Sequence, residues 1–201
     1  MFGLSRKSKF RWSDMFDQNE KLVVDIFSGH FGITLEEMPE TSKRPTPDAR
    51  FELLEYSFLA EVKTISDTIN LVPPSAYSES DVNGVSFYGN VAEDKTWSRI
   101  SRLIEKSTKQ FTKDISDFKV IILLNDEAAS VSDLDDCLNG FIEVGEFKDS
   151  LPAGAIISRR NWKFTPDMVF WIEKDTEKVF IRFLDTVPAH IKDFFGEKLN
   201  A

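Results

Sequence analysis

Cysteine is nearly missing from this 201-residue chain: Cys137 stands alone, which excludes a disulfide framework and a thiolate metal cluster. It lies among acids that would raise its pKa, so it does not read as a nucleophile. Histidine is almost as scarce. Neither His30 nor His190 has a partner at ligand or triad spacing, so both are expected to be structural. The glycines form no phosphate-cradling loop. No apolar run approaches transmembrane length, so no membrane partner is expected. The first residues carry Arg6, Lys7, Lys9 and Arg11 but no apolar core, so they do not read as a secretory signal, and a cytoplasmic location is expected. No internal repeat and no domain-splitting linker is visible, and the length suits one domain over residues 1–201.

Positive charge is also in deficit. Lys and Arg number 25 against 34 Asp and Glu, a net charge of −9, and such a field repels phosphates at long range. That argues against a generic nucleic-acid binder and makes the location of the positive charge decisive. Residues 95–113 predict a helix with six basic side chains and one acid, Glu105, a local charge of +5. Its apolar side carries Trp97, Ile100, Leu103, Ile104 and Phe111. Arg99, Arg102, Lys106, Lys109, Gln110 and Lys113 form an adjacent stripe, which suits either phosphate contact or a solvated face. The basic arm at residues 6–11 reads as disordered or as a further source of backbone contacts. Tyr77, Phe87 and Tyr88 could stack on bases or anchor a loop.

Eighteen Phe and four Trp supply a well-packed core. Apolar periodicity predicts a helix over residues 17–28, with Asp17 and Glu20 as a capping box and Gly29 as its stop. Strands follow at 33–38, 49–54 and 57–65, with a turn at Glu55-Tyr56-Ser57. Residues 66–94 have little periodicity and read as a long loop or small insertion, marked by Pro73-Pro74 and Asn83-Gly84. After the basic helix come a buried strand at 118–124, a short acidic helix at 133–139 and a strand at 155–158. A hairpin over 168–184 and an amphipathic helix at 188–199 close the chain.

Within this frame, Pro47-Asp48 followed by Glu61-Val62-Lys63 inside an apolar strand carries the chemistry. Residues i and i+2 of a strand share a face, so Glu61 and Lys63 point one way, and Ala60 and Val62 the other. Two charges on one side of an apolar strand are costly to bury without a partner. A metal ion held by Asp48 and Glu61 would be such a partner. The other reading is a surface hairpin whose Glu–Lys pair faces solvent and contributes little. Acid-x-Lys triplets recur at Glu93, Asp117 and Glu146, but only Glu61 lies inside an apolar strand paired to one that begins with Asp48. A second Pro-Asp, Pro166-Asp167, precedes Glu173-Lys174, whose adjacent charges would face opposite sides of a sheet.

The order helix, strand, hairpin with Pro-Asp and Glu-x-Lys, helix, strand resembles the core of the PD-(D/E)XK nuclease superfamily over roughly residues 17–124. The resemblance implies an α/β fold, a restriction-endonuclease-like αβββαβ core with a mixed central sheet flanked by helices. Residues 125–201 would add a C-terminal β-hairpin and helix. It implies a metal-dependent nuclease, acting on DNA ahead of RNA, in which Asp48, Glu61 and the Val62 carbonyl ligate Mg²⁺, with Mn²⁺ as a substitute. Lys63 would orient or deprotonate the attacking water. Glu20 is the matching auxiliary acid, though it is equally the third residue of a capping box. Lys106 and Gln110 are counterparts of residues that members place on the following helix. With Arg99, Arg102 and Lys109, they are the candidates for holding the substrate backbone. The rival reading is a non-catalytic acidic binding or inhibitor protein, or a complex subunit, on the same fold. A protein partner or a homodimer is compatible with either.

Overall fold

The computed structural model describes residues 17–38, 46–66, 77–82, 85–90, 96–111, 116–126, 129–139, 141–144, 147–150, 166–184 and 187–200. Helix α1 (Gln18–Ile26) begins at the predicted capping box: the Asp17 carboxylate accepts from the amides of Asn19 and Glu20, and Glu20 accepts from the Asp17 amide. Gly29 does not stop it. The chain continues as a π-turn (Phe27–Phe31) and ends at Gly32, whose φ of +68° is the left-handed conformation glycine adopts without strain. The wider turn keeps both Phe27 and Phe31 in the core, their rings 5.4 Å apart.

Six strands form one mixed sheet among the described residues. They are β1 (Glu36–Glu37), β2 (Ala49–Leu53), β3 (Tyr56–Ser66), β6 (Phe118–Asp126), β9 (Met168–Glu173) and β10 (Val179–Phe183), in the order β1-β2-β3-β6-β9-β10. Strands β3, β6 and β9 are mutually parallel, and the outer pairings are antiparallel. The parallel neighbours are connected through helices α2 (Thr96–Gln110) and α3 (Val131–Asn139). Both pack on one face, with Ile100, Ile104, Leu134 and Cys137 against Leu59, Ile65, Ile121 and Trp171. Helix α1 and the last helix, α4 (Ala189–Leu199), cover the other face against Phe51, Phe58, Val62 and Phe170. Coverage of both faces explains why β6 and β9 are apolar nearly throughout.

The C-terminal hairpin is therefore part of the central sheet, because β9 pairs with β6, and not a separate addition. Within the 66–94 segment, expected to be a long loop or a small insertion, β4 (Tyr77–Val82) and β5 (Val85–Asn90) form a two-stranded hairpin that pairs with no other strand among the described residues. A further self-contained hairpin, β7 (Phe141–Val144) and β8 (Phe147–Ser150), was not expected. The strand expected at 155–158, the arm at 6–11, and the side chains of Tyr77, Phe87 and Tyr88 lie outside the described residues.

The turn between β2 and β3 sets the register on which the candidate site depends. It is Leu54-Glu55, one residue earlier than expected, and both residues have positive φ, +48° and +70°. Two-residue hairpin turns with positive φ at both positions favour Asn-Gly, so this turn is held by the pairing of its strands against local preference. The pairing runs from Leu53 opposite Tyr56 to Ala49 opposite Ala60, which brings Asp48 beside Glu61. Leu54→Asn with Glu55→Gly is expected to relieve the strain and raise stability by about 1–2 kcal/mol in urea unfolding. An unchanged or lower midpoint would mean that the turn carries no strain.

Candidate active site

Glu61 and Lys63 share a face, as the strand period requires, but the pair does not face solvent. The Glu61 side chain is 1% exposed and Lys63 26% exposed. The exposed surface pair is thus ruled out for Glu61. Lys63 Nζ lies 2.5 Å from Glu61 Oε1, 3.0 Å from the Val62 carbonyl oxygen and 3.7 Å from Asp48 Oδ2. All three groups expected to ligate a metal therefore converge on one ammonium. Asp48 Oδ2 also accepts from the Val62 amide at 2.7 Å, which ties the entry of β2 to the centre of β3. Glu61 Oε2 is buried and has no hydrogen-bond partner among the described residues.

These contacts set the charge states. Burial, with the Asp48 carboxylate adding to it, pushes Glu61 up to about 7 although Lys63 opposes the shift. For Lys63, burial would lower the pKa, but the Glu61 and Asp48 carboxylates outweigh it and the net direction is upward. Lys63 is therefore a charged donor in this arrangement and not a free base.

Glu20 keeps its capping-box role, and no hydrogen bond joins it to Asp48, Glu61 or Lys63 among the described residues. Burial raises its pKa, and the charges of Asp17, Asp48 and Glu37 raise it further, which puts Glu20 within the electrostatic reach of the site. On α2, Arg102, Lys106 and Lys109 are exposed and Gln110 is half-buried. Lys109 pairs with Glu105 at 2.8 Å one turn back. Arg99 donates to the Ser66 carbonyl at 2.7 Å, binding the start of α2 to the end of β3. The helix packs on the sheet face to which Glu61 and Lys63 belong.

The sequence pattern did not reveal how general the Asp48 contact is. Asp117 Oδ2 accepts from the Ser57 amide, and Asp167 Oδ2 accepts from the Lys119 amide. An aspartate ahead of a strand thus binds the neighbouring strand's amide three times across the sheet. The aspartate is by itself a strand-entry device, with a proline before it at Asp48 and Asp167 and a serine at Asp117, and the signal for it is an acid immediately before a strand. Only Asp48, of these three, has the Glu61 carboxylate and Lys63 beside it. A second polar group, also missed, closes the carboxyl ends of β6 and β9. Buried Asn125 bonds Ala129 and Glu173, while Lys174 pairs with Asp126. Its oxygen and nitrogen atoms are turned on each other, as suits a structural clasp.

Cys137 is buried, and burial followed by the charges of Asp133 and Asp136 pushes its thiol up to about 12, in the expected direction. His30 and His190 are exposed at the surface, next to Phe31 and Tyr56 respectively.

The donor set fits a hard divalent cation: two carboxylates and a carbonyl, with one carboxylate oxygen lacking a partner. A cluster of three or more His, Cys, Asp or Glu side chains able to hold a metal is absent among the described residues, so water would have to complete any coordination shell. No described helix is long and apolar enough to cross a membrane. Comparison with protein-family models, curated proteins and solved structures finds no match to this chain.

Proposed function

We propose that this protein is a metal-dependent phosphodiesterase of the PD-(D/E)XK type, cutting nucleic acid, with DNA the first substrate to test. The observation that carries the reading is the convergence of Asp48, Glu61 and the Val62 carbonyl on one cation-sized position, with a buried, unpartnered Glu61 oxygen. The order α1-β1-β2-β3-α2-β6, interrupted only by the β4–β5 hairpin between β3 and α2 among the described residues, with β3 parallel to β6, supports the restriction-endonuclease-like assignment. Asp48, Glu61 and the Val62 carbonyl would hold Mg²⁺ or Mn²⁺, which supplies an acidified water and neutralises charge at the scissile phosphate.

The chain's own residues do the rest. Lys63 keeps its proton and donates hydrogen bonds from Nζ to the attacking water or a phosphate oxygen. Asp48, anchored by the Val62 amide, holds β2 and β3 in the register that keeps the two carboxylates adjacent. Glu20, on the helix that covers the opposite face of the sheet, adds negative charge near Asp48. Arg102, Lys106 and Lys109 offer exposed positive charge for the substrate backbone.

The helix contribution has its own test. Arg102→Glu with Lys106→Glu is expected to weaken DNA binding at every sequence and to lower the slope of log affinity against log salt by about one for each phosphate no longer neutralised. Thermal stability should stay within about 0.5 kcal/mol, since both positions are exposed. Unchanged binding would make α2 a solvated face only.

The proposal is separated from a non-catalytic acidic binding module by metal titration. Mn²⁺ should bind the wild-type protein and raise its melting temperature, and Asp48→Ala should abolish both effects while remaining folded. No Mn²⁺ binding by the wild type, or binding that Asp48→Ala leaves intact, would favour the binding module.

A further inference from the structure

We infer that Lys63 is the resident counter-cation of the site, which an incoming divalent ion must displace, so that this one side chain controls metal loading. The inference rests on the metal-site reading above and deepens it. Its basis is positional. The Lys63 ammonium touches the same three groups that would ligate the ion: Glu61 Oε1 at 2.5 Å, the Val62 carbonyl at 3.0 Å and Asp48 Oδ2 at 3.7 Å. Two positive groups cannot share those oxygens closely, so binding of the ion and docking of Lys63 are mutually exclusive.

The two sides of the contact differ in freedom. Glu61 is 1% exposed and its backbone is paired with Ile121 of β6, one residue past the β2 pairing that ends at Ala60, so burial and the sheet hold it in place. Asp48 is held by the Val62 amide. Lys63 is 26% exposed, and a few side-chain rotations carry its ammonium toward solvent with no change in the sheet. The displaced ammonium stays tethered beside the ion, where a phosphate oxygen gives it a new partner. Metal and nucleic-acid backbone should therefore bind with positive coupling, each relieving the exposure of an unpaired charge created by the other. Among the described residues, the charged side chains acting on Glu61 and Lys63 are each other and Asp48, so Lys63 is the cation docked between the two carboxylates.

The test is calorimetric titration of Ca²⁺ into the intact protein, wild type against Lys63→Met and Lys63→Arg, without nucleic acid. Lys63→Met removes the competing charge and should bind Ca²⁺ more tightly, on the order of tenfold. Lys63→Arg keeps the charge and should remain within about threefold of wild type. A second readout needs no variant: Lys63 should be protected from an amine-modifying reagent in the metal-free protein and become reactive as Ca²⁺ is added. Equal or weaker Ca²⁺ binding by Lys63→Met, or reactivity indifferent to Ca²⁺ in a protein that binds it, would overturn the displacement while leaving the metal site. Absence of binding in all three proteins would overturn both.

Discussion

Replacing Glu61 with glutamine is expected to stabilise the metal-free protein above neutral pH and, in the same molecule, to lower cleavage sharply. The carboxyl is 1% exposed and one of its oxygens has no partner among the described residues, so burial penalises the charged form. Its pKa rises from an ordinary 4.5 to about 7 in the folded chain. The sign follows from linkage. A carboxyl whose folded pKa is raised contributes stability that is complete below about 4.5 and lost as pH rises through about 7. Over that window the loss is on the order of 3 kcal/mol for this group. Glutamine cannot ionise, so melting curves of Glu61→Gln in EDTA should be flat between pH 5 and pH 8 in comparison with a falling wild type. Cleavage should drop by about 10²-fold or more, because the substitution also removes a charged oxygen from the donor set. Parallel pH profiles for the two proteins would mean that Glu61 is ionised without strain, and the site would then need no added cation.

Phe170→Ala is expected to be the most damaging single truncation in the core. Phe170 is fully buried on β9, and its ring lies 5.1 Å from Phe27, 5.9 Å from Phe31 and 5.2 Å from Phe195. Those contacts join the π-turn after α1, strand β9 and helix α4. Removing the ring leaves a cavity between elements that cannot collapse without moving one another, and such truncations cost about 3–5 kcal/mol. That is a large share of the roughly 5–15 kcal/mol that stabilises a domain. Urea unfolding should show a midpoint far below wild type, whereas Leu199→Ala, at an exposed position, should be nearly neutral. A loss under about 1 kcal/mol for Phe170→Ala would contradict the aromatic cluster as the junction of these elements.

The parts of this architecture that were legible in the sequence are those set by local pattern. The capping box at Asp17 and Glu20 depends on residues three apart, and the shared face of Glu61 and Lys63 on a period of two. The apolar runs of β6 and β9 mark strands covered on both sides. What was not legible depends on distant partners. Nothing in Met168–Glu173 says that it pairs with β6 instead of standing apart with β10. The Leu54-Glu55 turn lacks the Asn or Gly that advertises positive φ, since strand pairing imposes it. Gly29 resembled a helix stop, yet the burial of Phe27 and Phe31 carried the chain past it. At the site, the pattern pointed to Asp48, Glu61 and Lys63 as neighbours. It did not indicate that Asp48 shares an amide-binding role with Asp117 and Asp167, or that Lys63 itself occupies the position between the carboxylates.

The proposal that Asp48, Glu61 and Lys63 cleave phosphodiesters stands or falls on a cleavage assay. Plasmid, linear and single-stranded DNA and RNA are incubated with wild type and Lys63→Ala in Mg²⁺, Mn²⁺ or EDTA. The expected result is cleavage of at least one substrate by the wild type in Mg²⁺ or Mn²⁺, absent in EDTA and lost in Lys63→Ala. Cleavage that persists in Lys63→Ala, or no cleavage of any substrate by the wild-type protein, would contradict it.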